Sequence, residues 1–544
     1  MPQLPQLPKK NDLAAMLQAN AKPKENLVPH IVVNAGAGTG KTTTIVEGIN
    51  RRLGVVDIKR QYTQEQHDIF DAMCDQASSN VAVVSYSKSI ITDVSNRLPK
   101  GIEARTLHSF GWRTVLRNFP VIERGDVNSL SSALLAAKSL FGSGEMKYAD
   151  KSLVKTALPL LDMAKATLTP PGEGYRKRLE NLARRFGLQL PKTADEQTAQ
   201  LDVVEHLLSC PLQIAESGLI SYADMIWLCV ALDLEPVTVY DLLCVDESQD
   251  LSACQRSWVL LMGRRKMIVG DPNQSIGNWN GSLDNAIAET AKQLARDKVG
   301  CEHYTLTMTR RCSKAVVKLA NRIVTDYYAH HENEEGCIYF KDYFAYVSTV
   351  RHGDFVLART NAPLILEYYQ IAAEGLEVCV VGKKYGIHLV NICYQLSKSA
   401  ILIESITSWY LEAMQRVKKD DNEAKYRLVE DYACLVHFVS RIGSANKTLR
   451  QLISAIEQVF VDEPQPDKVS LMTVHRSKGL EANNVFLLLL EKSNNWLPYG
   501  LAYTPAQLAE ERRLEYVAIT RARVNFAIVS DNLGRALEQF TAGL

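Results

Sequence analysis

The sequence contains 11 cysteines but no pair in the C-x-x-C spacing. Zinc and iron–sulfur modules use such pairs, so both are disfavoured, and scattered thiols are typical of a reducing compartment. The 544 residues also lack an apolar run of 18 residues and a charged-then-apolar leader. We therefore expect no transmembrane helix and no export, and a cytoplasmic protein, or a nuclear one if the source is eukaryotic.

An excess of charge of one sign is also missing. Lys+Arg 62 against Asp+Glu 61 gives a formal net charge of +1. A polyanionic partner must therefore be bound by local basic patches and not by a basic body. The length is sufficient for several domains, each with its own hydrophobic core.

One stretch, IVVNAGAGTGKTTTIVE at 31–47, combines a β-branched run, three glycines, Lys-Thr and a helical segment. This strand–loop–helix order is typical of a phosphate-binding loop, although Ala35 stands where the general pattern has its first glycine. Backbone N–H groups and the helix N-terminus favour a phosphate, Lys41 can reach the β- and γ-phosphates, and the Thr42 hydroxyl can ligate Mg²⁺. The predicted nucleotide-binding residues are Ala35, Gly36, Ala37, Gly38, Thr39, Gly40, Lys41, Thr42 and Thr43.

Short apolar strands alternate with amphipathic helices through the first part of the chain. We predict a helix over 62–72 and strands over 81–85, 240–246 and 266–270. This alternation indicates a doubly wound parallel sheet whose ligands bind at the carboxyl ends of the strands. From about 112 to 240, Leu and Ala recur at the spacing of a helix, which predicts an all-helical insertion.

A second α/β body is predicted to start near Tyr304. Its strands are expected over 354–358, 468–474 and 485–490, and a helical stretch from about 390 to 461 interrupts it.

Two adjacent acids, Asp246 and Glu247, follow an apolar strand about 205 positions beyond Lys41. Phosphoryl transfer to water needs a carboxylate that holds Mg²⁺ and a group that orients the attacking water. We assign Asp246 to the metal and Glu247 to the water. The alternative is an acidic surface turn.

Eight segments resemble, in order, the helicase motifs of the UvrD/Rep/PcrA family of superfamily 1. They are AGAGTGKT at 35–42, TLHSF at 106–110, DESQD at 246–250, GDPNQSIGNWNG at 270–281, LTMTRRC at 306–312, ARTNA at 358–362, LMTVHRSKGLE at 471–481 and EERRLEYVAITRA at 510–522. The segments SYSKS at 85–89 and TLHSFG at 106–111 most resemble the branch of F-box DNA helicases and phage-type relatives.

The resemblance implies two RecA-like parallel-sheet domains of the P-loop class, each with a mainly helical insertion. The expected ranges are 1–111 and 239–303 for domain 1A, 112–238 for insertion 1B, 304–389 and 462–544 for domain 2A, and 390–461 for a reduced insertion 2B.

The resemblance also implies roles for residues at the nucleotide. Gln274 would sense the γ-phosphate, and Arg311 and Arg521 would act on it as arginine fingers from the second body. Glu481 would bond the ribose. Arg310 stands where relatives place an aromatic residue that stacks on adenine, a role that a planar guanidinium can also fill.

For contact with DNA, the resemblance implies that Trp279 stacks on a base of the single strand. Tyr86, His108, Thr473 and His475 lie in the matching DNA-facing motifs, although Tyr86 could equally be a core ring. A basic cluster in the first insertion could touch duplex phosphates, but a solvated helix face is the favoured interpretation. Its members are Arg176, Lys177, Arg178, Arg184 and Arg185.

Three departures from the family pattern matter. The adenine-reading Gln motif normally precedes the phosphate loop, where Gln18 is only a weak candidate. A similar TQEQ occurs after the loop at 63–66, and we interpret it as a helix start. Gly277 and Asn280 replace the aromatic residue and the Arg usual beside Trp279.

Together these observations predict an ATP- and Mg²⁺-dependent single-stranded DNA translocase and helicase in replication, repair or recombination, and the resemblance implies movement 3′→5′. The expected partners are single-stranded DNA and DNA junctions, without a membrane, and the expected state is a monomer. The alternatives are an ATP-driven remodelling protein that strips partners from DNA without unwinding it, and an RNA helicase. A fused nuclease is not expected.

Overall fold

The computed structural model describes residues 28–55, 60–74, 80–85, 88–122, 127–141, 147–186, 188, 190–191, 193–276, 285–396, 401–417, 422–442, 447–491, 495–500 and 505–541. The chain divides into two compact units. Of the described residues, the first unit contains those up to Gly36 and those within Gly40–Leu306, and the second contains Ala37–Thr39 and those within Thr307–Leu544.

The first unit is an α/β structure with a parallel sheet. Its strands are β1 (His30–Ala35), β2 (Val81–Ser85), β3 (Glu103–Thr106), β4 (Tyr240–Val245), β5 (Gly263–Gly270) and β6 (Cys301–Leu306). They lie in the order β3-β2-β4-β5-β1-β6, and all neighbours are parallel. Its helices are α1 (Lys41–Arg52), α2 (Gln64–Cys74), α3 (Lys88–Arg97), α4 (Leu107–Asn118), α5 (Ser129–Phe141), α6 (Tyr148–Thr167), α7 (Tyr175–Arg185), α8 (Ala194–Ser209), α9 (Pro211–Glu216), α10 (Asp224–Ala231), α11 (Ala253–Met262) and α12 (Ala286–Leu294).

Both faces of this sheet are buried. In β2, Ala82 and Val84 belong to one apolar cluster, whereas Val81 and Val83 belong to another. Alternating side chains therefore supply two cores, which explains why the strand is apolar throughout. The first cluster also contains buried residues of α5 to α10, so the helical insertion packs as a continuation of that core.

The parallel arrangement brings the predicted site segments to one edge. β1, β3 and β4 end at Ala35, Thr106 and Val245, and the phosphate loop, His108 and Asp246 follow them. The carboxyl ends of parallel strands share an edge, where ligands bind in such sheets. The Thr106 hydroxyl accepts the Ser109 N–H at 3.3 Å and so caps α4.

The second unit has a seven-stranded parallel sheet. The strands described in this unit are β7 (Met308–Thr309), β8 (Tyr328–Ala329), β9 (Cys337–Asp342), β10 (Phe355–Ala358), β11 (Val378–Val381), β12 (Phe460–Val461), β13 (Val469–Thr473), β14 (Ala482–Leu489) and β15 (Ala522–Ser530). The sheet order is β12-β11-β13-β10-β14-β15-β9, and β7 pairs with β8 separately. The helices are α13 (Lys314–Ala320), α14 (Ala362–Ala373), α15 (Lys383–Cys393), α16 (Leu402–Arg416), α17 (Asn422–Arg441), α18 (Leu449–Val459), α19 (Pro505–Ile519) and α20 (Leu533–Thr541).

The predicted fold class, an α/β structure with two RecA-like parallel sheets, is confirmed. Several element boundaries differ from the sequence expectation by a few residues. Tyr304 lies in β6, which pairs with β1, so the first sheet continues to Leu306. The stretch predicted as helical to 461 ends at Val459, because Phe460–Val461 pairs with β11. Within the described residues, no helix has the length and apolarity needed to cross a bilayer.

Candidate functional site

The phosphate loop connects β1 to α1. Gly38 and Gly40 have φ of +67° and +90°, in the left-handed region that favours glycine. The Thr44 N–H donates to the Gly40 carbonyl at 2.8 Å, which closes the first turn of α1. Lys41, the first residue of this helix, is 9% exposed. The N–H groups of the first turn and the helix dipole would favour an anion at this position.

Thr42 and Asp246 form the oxygen-rich part of the site. The Thr42 hydroxyl donates to Asp246 Oδ2 at 2.7 Å, and the Asp246 side chain is fully buried. Burial first, and then the charge of Glu247, raise the pKa of Asp246 to about 6, against the opposing effects of Thr42 and Lys41. A hydroxyl and a carboxylate are oxygen ligands of the kind that Mg²⁺ prefers. The donor set therefore fits Mg²⁺.

Glu247 faces a different neighbour from Asp246. It has φ of +52°, a left-handed conformation that costs a non-glycine residue about 1 kcal/mol or more. Its N–H donates to Asp246 Oδ1 at 2.9 Å, and its Oε1 lies 4.0 Å from Lys41 Nζ. The turn thus places consecutive carboxylates against Thr42 and Lys41, as separate roles require.

A chain of hydrogen bonds connects Gln274 with Glu247. Gln274 Nε2 donates to Asp271 Oδ2 at 2.7 Å, the Asp271 N–H donates to Gln249 Oε1 at 3.0 Å, and Gln249 Nε2 donates to Glu247. A Cβ on Gly270 would lie 2.4 Å from Gln249 Oε1, so only glycine leaves room for this amide. Sequence reasoning missed Gln249, although it lies inside the DESQD segment.

Gln66 is a second residue that sequence reasoning did not place in the site. It is 6% exposed, and its Nε2 donates to Thr44 Oγ1 at 3.0 Å. The same nitrogen would lie 3.3 Å from a Cβ on Gly40. The TQEQ segment does start a helix, because Thr63 and Gln66 exchange side-chain and backbone hydrogen bonds. The Gln66–Thr44 hydrogen bond therefore also connects the start of α2 to the first turn of α1, directly after the phosphate loop.

In the second unit, two predicted nucleotide residues contact each other. Arg311 forms an ion pair with Glu481, which also pairs with Arg523 at 3.4 Å. Arg310 is 44% exposed and lies 3.8 Å from Glu332. Glu481 therefore lies between two cations.

Arg521 is held differently from Arg311. Its side chain is 1% exposed. Its guanidinium donates to the carbonyls of Val517 at 2.9 Å and Leu480 at 3.1 Å, and to Thr520 Oγ1 at 3.1 Å. These bonds give the guanidinium a defined orientation inside the second unit.

Two of the predicted DNA-facing residues are histidines in restricted environments. His108 stacks on Tyr222, with ring centroids 4.0 Å apart, and burial lowers its pKa to about 4. Burial first, and then Arg359 and Lys478, lower the pKa of His475 to about 3. Burial therefore favours the neutral form of both rings.

The remaining DNA-facing predictions have different outcomes. Thr473 is the last residue of β13 and is 9% exposed. Tyr86 and Trp279 lie outside the described residues.

A parallel α/β sheet with a glycine loop after β1 and paired carboxylates after β4 defines a P-loop nucleotide hydrolase. The family model of the UvrD-like helicase C-terminal domain matches residues 36–532. The chain therefore belongs to the UvrD-like helicase family, which consists of ATP-hydrolysing enzymes.

Named relatives agree with this assignment. The chain is 22% identical to the ATP-dependent DNA helicase UvrD2 of Mycobacterium tuberculosis H37Rv, over 92% of this chain and 76% of the relative. A segment of 76 residues is 41% identical to the ATP-dependent DNA helicase Rep of Escherichia coli K12, covering 14% of this chain and 10% of Rep. A segment of 123 residues is 32% identical to the ATP-dependent DNA helicase PcrA of Bacillus subtilis 168, covering 21% of this chain and 16% of PcrA.

Proposed function

We propose that this protein is an ATP- and Mg²⁺-dependent translocase on single-stranded DNA and a DNA helicase that moves 3′→5′ in replication, repair or recombination. The observation that carries the proposal is the meeting of Lys41, Thr42, Asp246 and Glu247 at one edge of the first sheet. The similarity to relatives named as ATP-dependent DNA helicases supports ATP as the nucleotide and DNA as the polymer.

Each residue has a chemical task in this proposal. Lys41 binds the β- and γ-phosphates, and Thr42 and Asp246 hold Mg²⁺, which neutralises developing phosphate charge when bound. Glu247 orients the attacking water. A chain of hydrogen bonds holds the Glu247 carboxylate in position, and it runs through Gln249, Asp271 and Gln274. Arg311 and Arg521 are proposed to supply further positive charge to the γ-phosphate.

Strand contact is proposed for Trp279, His108, Tyr86, Thr473 and His475. Stacking on an aromatic ring contributes about 1–3 kcal/mol per base. Trp279→Ala should therefore keep its basal ATPase and lose stimulation by single-stranded DNA. Thermal melting is the control, and a variant that unfolds would indicate that Trp279 packs in the protein core instead of stacking on DNA.

The experiment for the whole proposal measures strand displacement from a 3′-tailed duplex beside removal of a protein bound to the same DNA. Displacement that needs ATP and Mg²⁺ supports a helicase. Protein removal without displacement would instead establish a remodelling enzyme. Stronger stimulation of the ATPase by RNA than by DNA would overturn DNA as the substrate.

A further inference from the structure

The loop that follows β10 has its backbone N–H groups bound by side chains of the same unit. The N–H groups of Arg359 and Thr360 donate to Asn495 Oδ1 at 2.7 and 3.2 Å. The N–H group of Asn361, the residue directly before α14, donates to Glu430 Oε1. Each N–H of this loop is thus already paired within the protein.

Glu430 also binds the side chain of Asn361. The same oxygen, Glu430 Oε1, accepts Asn361 Nδ2 at 2.8 Å. An oxygen acceptor must face the NH₂ end of an amide, so the carbonyl end of the half-buried Asn361 side chain is turned away from Glu430. Asn361 Oδ1 accepts no hydrogen bond from the residues that the structure describes. A carboxylate that only capped α14 would need the backbone N–H alone.

Glu430 belongs to the helical stretch that interrupts the second α/β unit. It lies in α17, and the next residue, Asp431, fastens this helix to α15. Asp431 accepts the Tyr385 hydroxyl at 2.8 Å, and its other carboxylate oxygen lies 2.9 Å from His388 Nε2. These bonds hold α17 in place, so Glu430 can fix the orientation of Asn361.

The loop lies beside residues that are predicted to face DNA. β10 and β13 pair in parallel, with Ala358 opposite Thr473. Burial first, and then the charge of Arg359, lower the pKa of His475, so these two side chains are close to each other. Parallel strands present their carboxyl ends at one edge of a sheet. Asn361 therefore lies at the same edge as Thr473 and His475.

We propose that Glu430 is a positioning residue for strand binding, which fixes the Asn361 side chain so that Oδ1 accepts a hydrogen bond from a base of single-stranded DNA. The inference rests on the proposed function, and it gives the helical stretch of the second unit a part in holding the strand. An amide oxygen needs a donor, and backbone phosphates are acceptors. The bases carry N–H or NH₂ donors on edges that are open in a single strand. The contact is therefore with a base and not with a phosphate.

The test uses the full chain and fluorescence anisotropy with two labelled single strands of equal length, one normal and one in which every base is missing. Glu430→Ala should bind the normal strand about three- to tenfold more weakly, the range expected for one hydrogen bond. On the base-free strand it should bind as the unmodified protein does. The concentration of normal strand that half-saturates the ATPase should rise by the same factor, while kcat and the KM for ATP stay unchanged.

Two conservative variants separate the acceptor from the charge. Glu430→Gln keeps an oxygen that can accept both N–H groups, so it should bind the normal strand as the unmodified protein does. Glu430→Asp keeps the charge but withdraws the oxygen by one methylene group, so it should lose as much affinity as Glu430→Ala. Asn361→Ala should show the same loss, and its combination with Glu430→Ala should add nothing to it.

Asp431→Ala is the matched control, because it removes the adjacent carboxylate of the same helix, whose partners are Tyr385 and His388. It should lower the Tm and leave binding to both strands unchanged. If Glu430→Ala melts below the assay temperature, Glu430→Asp and Asn361→Ala decide the question by the same comparison.

Several outcomes would overturn the proposal. They are unchanged binding of the normal strand by Glu430→Asp and Glu430→Ala, an equal loss in Glu430→Gln or Asp431→Ala, an equal loss on the base-free strand, and additive losses in the double variant. An unmodified protein that binds neither strand would end the proposed function itself, whereas variants that bind as it does would end only this inference.

Discussion

The Thr42 hydroxyl donates a 2.7 Å hydrogen bond to Asp246 Oδ2 across 204 positions of sequence. The next residue, Glu247, turns instead to Lys41, whose Nζ lies 4.0 Å from its carboxylate. One strand end thus supplies two acids with different neighbours. Phosphate binding and water activation should therefore be separable by substitution.

Lys41→Ala and Glu247→Gln test this separation. Both should abolish DNA-stimulated ATPase, but only Lys41→Ala removes a phosphate contact. A charge-assisted contact contributes about 1.5–3 kcal/mol, so nucleotide affinity should fall roughly 10- to 100-fold for Lys41→Ala alone. Titration with a fluorescent nucleotide measures the affinity of each variant. Equal loss of affinity in the two variants would exclude Glu247 as the water-orienting group.

Gly270→Ala tests the hydrogen-bond chain from Gln274 to Glu247. The new Cβ would lie 2.4 Å from Gln249 Oε1 and 2.8 Å from both Ile287 Cδ1 and Ser248 Oγ, so the Gln249 amide must move away from Glu247. We expect kcat to fall about 10- to 100-fold, because small misplacement of a reacting group is costly, with nucleotide affinity nearly unchanged. Steady-state kinetics and nucleotide titration give the two values.

A matched glycine provides the control for this substitution. A Cβ on Gly534 would meet nothing closer than 3.7 Å, so Gly534→Ala should behave as the unmodified protein. A normal kcat in Gly270→Ala would show that Gln249 does not position Glu247.

We expect loose nucleotide selectivity, because Arg310 stands where relatives place an aromatic residue that stacks on adenine, and the sequence before the phosphate loop offers only Gln18 as a weak candidate for an adenine reader. A guanidinium can stack on any base, so we expect GTP and dATP to support translocation within roughly tenfold of ATP, about 1.4 kcal/mol. Kinetics with the four nucleotides decide this. A preference for ATP of about a hundredfold would mean that a reader exists, and its loss in Gln66→Ala would locate the reader at the residue that contacts Thr44.

The raised pKa of Glu515 should make the thermal stability of the protein depend on pH. Burial raises the pKa of Glu515 from 4.5 to about 7, against the opposing effects of Arg322, Arg512 and Gln539. Because the folded pKa exceeds the unfolded one, its contribution to stability is complete below pH 4.5 and is lost progressively as the pH rises from 4.5 to about 7. Glu515→Gln should therefore melt higher than the unmodified protein at pH 8.5, by about 2–4 °C for each kcal/mol relieved, and nearly equally at pH 4, where the carboxyl is protonated in both states. The same difference in Tm at both pH values would contradict this account.

Segments with a strong local signal could be predicted from the sequence. VAVVS at 81–85 is a buried β-branched run, and it forms β2 with the predicted bounds. The glycine loop and the Asp246–Glu247 pair could be assigned because each follows an apolar strand, and parallel strands bring their carboxyl ends to one edge. Their local chemistry alone indicates the candidate site.

Other features depend on contacts that leave no local pattern. Gln66 and Gln249 each bond a partner 22 positions away, and an amide side chain has no periodicity that shows this. β9 has a mixed exposure pattern, and it pairs with β15 nearly 190 positions later. Sheet-edge order and side-chain networks come from long-range packing, so sequence reasoning could not supply them.

Strand displacement from 3′-tailed and 5′-tailed duplexes, with the unmodified protein and Glu247→Gln side by side, is the most direct test. The account predicts that the unmodified protein separates the 3′-tailed duplex only when ATP and Mg²⁺ are present, and that Glu247→Gln binds the same DNA without separating it. DNA-stimulated ATP hydrolysis without displacement of either duplex, or displacement by Glu247→Gln, would contradict it.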